Sequence, residues 1–300
     1  MKKVQVLLSS YNGEKYLAAQ LESILAQDYE EISILIRDDG STDHTLEIIQ
    51  CYADKYTNIG YYVGENIGVQ QSFFQLMQHA DKTADYYAFS DQDDVWLPEK
   101  IRQAVQLLEK QDQSLPLLYA SKTTLVDAGL KEIPIRKKEV KIRTELGNAL
   151  VENVCTGCTE VFNRRLLELV TKQLPTYAIM HDWWLYLCAT AFGQVYYDVN
   201  SYILYRQHGN NQVGSSVSFV DDWIRRFKNF KRSNGALRKQ VAEFQKIYGS
   251  DYDKSKYAAW VAGYKYRLDY RRKLIFSKEI FRQGKLDDLI FRVLFLLGMR

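Results

Sequence analysis

A chain of 300 residues, 46% of them apolar, is long enough for one large core with an extension, which excludes global disorder. Its net charge of +3 divides into −8 over residues 1–212 and +11 over residues 213–300, so the basic excess is confined to a tail. Four cysteines (Cys51, Cys155, Cys158 and Cys188) make no disulfide framework, and no run reaches the roughly 18–20 apolar residues that span a bilayer.

Val4 to Leu8 reads as a buried strand and Lys15 to Gln27 as a helix with Tyr16, Leu17, Leu21, Ile24 and Leu25 on one side. A second strand at Ile32–Ile36 leads to a helix over Thr42–Lys55. A third strand at Ile59–Val63 leads to a helix over Val69–Ala80, and a fourth strand follows at Tyr86–Phe89. Pro98 suits the first position of the next helix, where its missing N–H costs nothing. This alternation through about residue 112 predicts an α/β fold, a mostly parallel sheet with helices on both faces. Beyond it, Val126–Leu130 reads as a hairpin turn and Arg136–Lys141 as a charged loop. Asp182–Ala191 reads as a helix, followed by short strands near Val195–Val199 and Ile203–Tyr205. After Gly214 the chain turns helical and basic.

In parallel sheets ligands gather at the carboxyl ends of the strands. Three polar segments follow strands here: Ser9 to Gly13, Asp38 to Asp43 and Ser90 to Asp94. In the last, Asp91, Asp93 and Asp94 crowd carboxylates that repel one another, a conflict that a divalent cation removes. Mg²⁺ or Mn²⁺ takes one or two protein carboxylates and completes its shell with phosphate oxygens and water. Asp38 and Asp39 offer acceptors to a base N–H or a ribose hydroxyl. Ser9, Tyr11 and Asn12 would lie beside them. Taken singly, each segment also reads as an ordinary turn or helix cap. An EF-hand is excluded because the sixth position from Asp91 is Trp96 and the twelfth is Arg102.

Taken together, LLSSYNGEKYLAAQLESIL, IRDDGSTD, NIG at 66–68 and FSDQDDVWLPEKI resemble glycosyltransferase family 2, which has the GT-A fold. TGCTEVFNRRLL, HDWWLYLCATAFG and YRQHGNN further resemble its bacterial rhamnosyltransferase branch, so that the likeness covers residues 3 to 214. The resemblance implies a GT-A domain over 1–214, with a nucleotide-sugar half over about 1–112 and an acceptor half over about 113–214, and a basic helical region over 215–300. It implies donor-nucleotide contacts from Ser9, Tyr11, Asn12, Asp38, Asp39, Asn66 and Asp91. It gives a metal to Asp91 and Asp93, with His208 as a further ligand. It makes Asp182 the catalytic base and puts Thr156, Gly157, Cys158, His181, Trp183 and Trp184 on the acceptor side. Two departures stand out: His181 replaces the usual Glu before the base, and the Gln-x-x-Arg-Trp signature is absent.

The implied activity is inverting, metal-dependent transfer of L-rhamnose from dTDP-L-rhamnose, with a UDP-sugar as the competing donor. The acceptor would be a growing or lipid-linked cell-wall or capsular glycan. Two other readings compete. Asp91-Gln92-Asp93-Asp94-Val95 fits a haloacid-dehalogenase-type DxDx[TV], but that motif belongs after a first strand and here follows the fourth. A non-catalytic sugar-binding protein would have no need for Asp38, Asp91, Asp93 and Asp182 together.

In the tail, Trp223, Ile224, Phe227 and Phe230 recur at helical spacing among Arg225, Arg226, Lys228, Lys231 and Arg232, and Leu286–Leu297 forms another apolar stretch. Such helices suit an anionic membrane surface, packing on the catalytic domain or a homo-oligomer contact; no nucleic-acid module is matched. The Met1-Lys2-Lys3 start lacks the pattern of a signal peptide, so a cytoplasmic protein, or one peripheral to the inner face of the cell membrane, is expected.

Overall fold

A computed structural model describes residues 1–134, 141–207, 235–250 and 252–296. The first half alternates β1 (Val4–Ser10), α1 (Leu17–Leu25), β2 (Ile32–Asp38), α2 (Thr45–Lys55), β3 (Ile59–Val63), α3 (Val69–His79) and β4 (Tyr86–Ser90). Then come β5 (Val95–Trp96), α4 (Lys100–Leu108), β6 (Leu117–Val126), α5 (Leu146–Ala149), β7 (Val161–Asn163), α6 (Arg164–Lys172), α7 (His181–Phe192) and β8 (Gln194–Arg206). The tail contributes α8 over residues 235–248, α9 (Ser255–Gly263), α10 (Leu268–Phe276) and α11 (Lys285–Leu296).

The eight strands form one sheet in the order β3-β2-β1-β4-β7-β6-β8-β5. β1 pairs in parallel with β2 and β4, and β2 with β3, so the carboxyl ends of β1, β2 and β4 lie side by side. β1 and β4 are buried nearly throughout, as a strand covered on both faces must be. Their side chains alternate between two cores. Leu7, Tyr87 and Phe89 face one core with α3, α6 and α7, while Val6, Leu8, Tyr86 and Ala88 face another with α1 and α4.

The structure departs from the sequence reading in several places: β5, β6 and β7 are strands that the sequence reading does not include. The two short strands expected at 195–199 and 203–205 are one strand, β8, whose parallel pairing with β6 slips at Ser121/Lys122 and Lys122/Thr124. Those bulges absorb the polar Asp198, Asn200 and Ser201 that break its apolar pattern. Pro98 lies ahead of α4 instead of inside it, its carbonyl accepting the Asp28 N–H (2.9 Å).

The tail packs on the α3/α6/α7 face: Leu237, Val241, Phe244, Tyr257, Val261, Phe291 and Phe295 belong to the same core as Trp184. Segment 279–283 lies against α5, where Asn148 Nδ2 donates to the Phe281 carbonyl (3.1 Å). A Cβ on Gly147 would stand 1.8 Å from the Glu279 carbonyl oxygen, so only glycine fits there. Trp223, Ile224, Phe227, Phe230 and the basic residues among them lie outside the described residues. No helix among the described residues is long and apolar enough to cross a membrane.

Candidate active site

The parallel register sets Ser10 opposite Asp38 and Leu8 opposite Ser90, which brings the three polar segments together. Gln92 bridges two of them: its Oε1 accepts from Ser10 Oγ (2.9 Å) and the Tyr11 N–H (2.8 Å), and its Nε2 donates to the Tyr11 carbonyl (3.0 Å). Asn12, at φ 48°, accepts the Thr42 N–H (2.9 Å) and donates its own N–H to Ser41 Oγ (3.0 Å). Tyr11 is left 45% exposed above them.

Asp38 and Asp39 are both buried but differ in their bonding. Asp38 closes a turn, accepting the Ser41 N–H (2.9 Å) and Ser41 Oγ (2.5 Å). Asp39 pairs with Arg37 and accepts the N–H groups of Ile67 and Gly68, both at 2.9 Å. Arg37 in turn donates to Ser72 Oγ (3.1 Å) and the Glu65 carbonyl (2.9 Å). Asp39 is thus fully occupied in fastening the loop that carries the exposed Asn66. Ser9 Oγ also donates to Ser72 Oγ (2.6 Å), linking β1 to that loop's helix.

Asp91, Asp94 and Cys158 present ligand atoms within 4.8 Å of one another, a group able to hold a metal ion. One Asp94 oxygen accepts the Arg206 N–H (3.1 Å), while the other is buried beside the Cys158 thiol, which donates a hydrogen bond to the carboxyl. Burial and then the Asp93 charge push the Asp94 carboxyl up to about 7. Burial, followed by Asp94, Asp93 and Asp182, holds Asp91 well above the usual carboxylate range. Buried, mutually repelling carboxylates are donors that a hard divalent cation satisfies, with the Cys158 thiol beside them. Asp93, partly exposed, stands beside the group, and Arg206 holds its backbone carbonyl (2.8 Å) while its guanidinium lies over the Tyr16 ring (4.5 Å). Lys100 lies beneath, fully buried, with Nζ 3.7 Å from the centre of the Trp96 ring and its pKa lowered by burial to about 7.

Asp182 is the second residue of α7, close enough to Asp91 for its charge to raise that carboxyl, and the space these groups share is the candidate cleft. Asp182 Oδ2 accepts the Gly157 N–H (3.1 Å) and its Oδ1 the Trp183 N–H (2.6 Å). Burial outweighs these bonds and raises its pKa to about 6. The shift places the group near neutrality, where a general base works best. His181 is sandwiched by Phe73 (centroids 3.9 Å, stacked) and Phe89 (4.9 Å, edge-on), and burial lowers its pKa to about 3, so it is neutral. A Cβ on Gly157 would meet His181 Nε2 at 3.1 Å and Asp182 Cβ at 3.3 Å, which explains the glycine.

Among the residues expected on the acceptor side, Thr156 is exposed beside Asp182's partner Gly157, and Cys158 lies under the carboxylates. Trp183 is half-buried and donates Nε1–H to the Ala149 carbonyl (2.7 Å). Trp184 is not in the cleft: it is fully buried, packed against Phe244 (5.6 Å) and Tyr248 (6.4 Å) of α8. Residues one apart on a helix cannot face the same side, so only one of the pair could line the cleft. His208 lies outside the described residues. Sequence reasoning passed over Arg37, Gln92, Lys100 and Glu160. Glu160 is a fully buried carboxyl with both oxygens unpartnered, its pKa raised by burial and then by Asp182. A charged residue inside an apolar strand run was the available signal for Arg37.

This sheet, flanked by helices and with carboxylates at its strand ends, has a GT-A-like α/β fold. The sequence profile of glycosyl transferase family 2 matches residues 5–170, and the chain belongs to that family. A dTDP-rhamnosyl transferase of Shigella flexneri, RfbG, is 33% identical over 223 residues, covering 71% of this chain and 75% of the relative. A putative glycosyltransferase of Bacillus subtilis, EpsE, is 37% identical over 110 residues, 36% of this chain and 39% of its own. Among solved structures, S. aureus TarS 1-349 in complex with UDP-GlcNAc has a TM-score of 0.59 at 17% identity, covering 99% of this chain and 82% of that one. The Pyrobaculum calidifontis mannosyltransferase PcManGT, with GDP-Man and Mn²⁺, has a TM-score of 0.52 at 14% identity, covering 99% of this chain and 81% of that one.

Proposed function

We propose that this glycosyltransferase moves L-rhamnose from dTDP-L-rhamnose to a hydroxyl of a growing, lipid-linked cell-wall or capsular glycan, with inversion at the anomeric carbon. The observation that carries the donor is the 33% identity to a dTDP-rhamnosyl transferase over most of both chains.

Asp38, Ser9, Tyr11, Asn12 and the loop of Asn66 bind the nucleotide, the loop held in place by Asp39 and Arg37. Asp91 and Asp93, with Asp94 beside them, would hold Mg²⁺ or Mn²⁺, which when bound neutralises charge on the departing diphosphate. Asp182 Oδ takes the proton from the acceptor hydroxyl as that oxygen attacks the sugar from the face opposite the leaving group. The sugar carbon bears oxocarbenium character at that moment, and one protein carboxylate suffices for a single displacement. Gly157 and Trp183 amides orient Asp182, and the rings around His181 exclude water from its rear.

The test is a thermal-shift screen of dTDP-rhamnose and UDP-sugars with and without Mn²⁺ or Mg²⁺, since a ligand that binds only the native state raises its stability. A metal-dependent shift with dTDP-rhamnose is expected. A shift with UDP-sugars alone would overturn the donor, and none with any nucleotide would overturn the catalytic reading.

A further inference from the structure

α11 buries one face and leaves the other bare. Ile290, Phe291, Leu294 and Phe295 enter the core, whereas Leu286, Leu289, Val293 and Leu296 are 39%, 59%, 45% and 61% exposed. Positions 286, 289, 293 and 296 follow helical spacing, so the four form one apolar line roughly 15 Å long by the rise of an α-helix. Phe276, 81% exposed, emerges beside this helix, because Arg292 of α11 donates to the carbonyls on either side of it, Ile275 (2.5 Å) and Ser277 (2.9 Å). Scattered exposed apolar residues are ordinary, but an aligned set is not.

The charge around the line is in cationic excess: residues 267–296 hold eight Lys or Arg against four Asp or Glu, Asp287 and Asp288 of α11 among them. Asp269 is engaged by Arg267 (2.9 Å) and Lys273 (3.6 Å), Asp288 by Arg292 (2.7 Å), and Glu279 by Lys254 (4.0 Å). Exposed Arg272, Lys278 and Lys285 make no ion pair among the described residues.

We propose that the outer face of α11, with Phe276, lies in the interface of an anionic lipid bilayer, its apolar line at the acyl boundary and Arg272, Lys278 and Lys285 among the headgroups. An apolar stripe flanked by unpaired cations has the composition of an interfacial helix. Charge selects the bilayer over a second copy of this chain: a two-fold contact would set the same basic surface against itself. The inference does not rest on the donor assignment.

Vesicle co-sedimentation tests it on the full chain, with phosphatidylcholine vesicles against vesicles half phosphatidylglycerol. The wild type should pellet with the anionic vesicles only, and less as salt rises. The double variant Leu289→Glu/Val293→Glu changes exposed positions, so its Tm should hold while its vesicle affinity falls at least tenfold. The double variant Lys278→Glu/Lys285→Glu should weaken binding to the anionic vesicles alone. Wild type that stays in the supernatant, or a Leu289→Glu/Val293→Glu variant that binds like wild type, would overturn the proposal. So would sedimentation velocity showing a lipid-free dimer that this variant converts to monomer.

Discussion

Arg37 and Asp39, two residues apart at the end of β2, form an ion pair with both side chains 4% exposed. The pair reaches outward, Asp39 to the amides of Ile67 and Gly68 and Arg37 to the Glu65 carbonyl, so one end of β2 holds the loop after β3. The carboxylate of Asp38, next to Asp39, instead closes a turn onto Ser41, and only the Asp38 backbone carbonyl reaches that loop, accepting the Gly64 N–H (2.9 Å). Adjacent carboxylates thus have separate work. Asp39→Ala strands a buried guanidinium and should cost about 3–5 kcal/mol, seen as a lowered midpoint in urea unfolding. Asp38→Asn should barely move that midpoint while weakening nucleotide binding. Equal losses of stability in both variants would contradict the division.

The acidic group gives a second prediction. Asp93 contributes to the elevated pKa of both Asp91 and Asp94, after burial, so the three act as one charge cluster. Asp93→Ala should abolish most of the Mn²⁺-dependent part of the thermal shift given by a nucleotide sugar, a drop in affinity of roughly tenfold or more. The same shift in variant and wild type would remove Asp93 from the metal site.

The sequence revealed the strand-end segments because parallel strands buried on both faces leave long apolar runs, and whatever follows them is conspicuous. It did not reveal β7, whose three residues Val161–Asn163 pair antiparallel with both β4 and β6. A strand that short has no period to read. The Arg37–Asp39 clamp depends on amides nearly thirty residues away, and Lys100 enters the core from a helix whose other polar residues face water. Trp183 and Trp184 looked alike as neighbours in a motif. The packing of α8 on α7 separates them, and α8 belongs to the tail, far along the chain from the motif. Trp184→Ala should therefore lower stability by about 3–5 kcal/mol, and Trp184→Phe should keep turnover near wild type. A large kcat loss in a stable Trp184→Phe protein would return that residue to the cleft.

Gly157 lies where the backbone meets Asp182, the proposed base. Its N–H holds Asp182, and an added methyl would press on His181 and Asp182, both buried and unable to retreat into solvent. Gly157→Ala should shift the carboxylate by a few tenths of an ångström and reduce kcat by about ten- to a hundredfold, since small misplacements of a reacting group are costly. Nucleotide affinity should hold, because the donor segments lie on other strands. A fall in nucleotide affinity with kcat intact would show that Gly157 serves the donor side.

Asp182 carries the remaining prediction. Its carboxyl is raised to about 6, so in the folded enzyme it is charged above that pH and holds its proton below it. A base must be unprotonated to act. The value of kcat/KM should therefore be level near pH 7.5 and fall tenfold per unit below about pH 6, with an ordinary exposed Asp placing the limb about two units lower. In kcat, which reports the loaded enzyme, bound metal and diphosphate will move this midpoint. Asp182→Asn keeps one acceptor for the Gly157 and Trp183 amides but cannot take a proton, so turnover should drop about 10²–10⁴-fold with nucleotide binding preserved. The variant's residual activity should also lose the limb near pH 6. A limb that survives in Asp182→Asn would assign it to another group, with the buried carboxyls of Asp94 and Glu160 the first to examine.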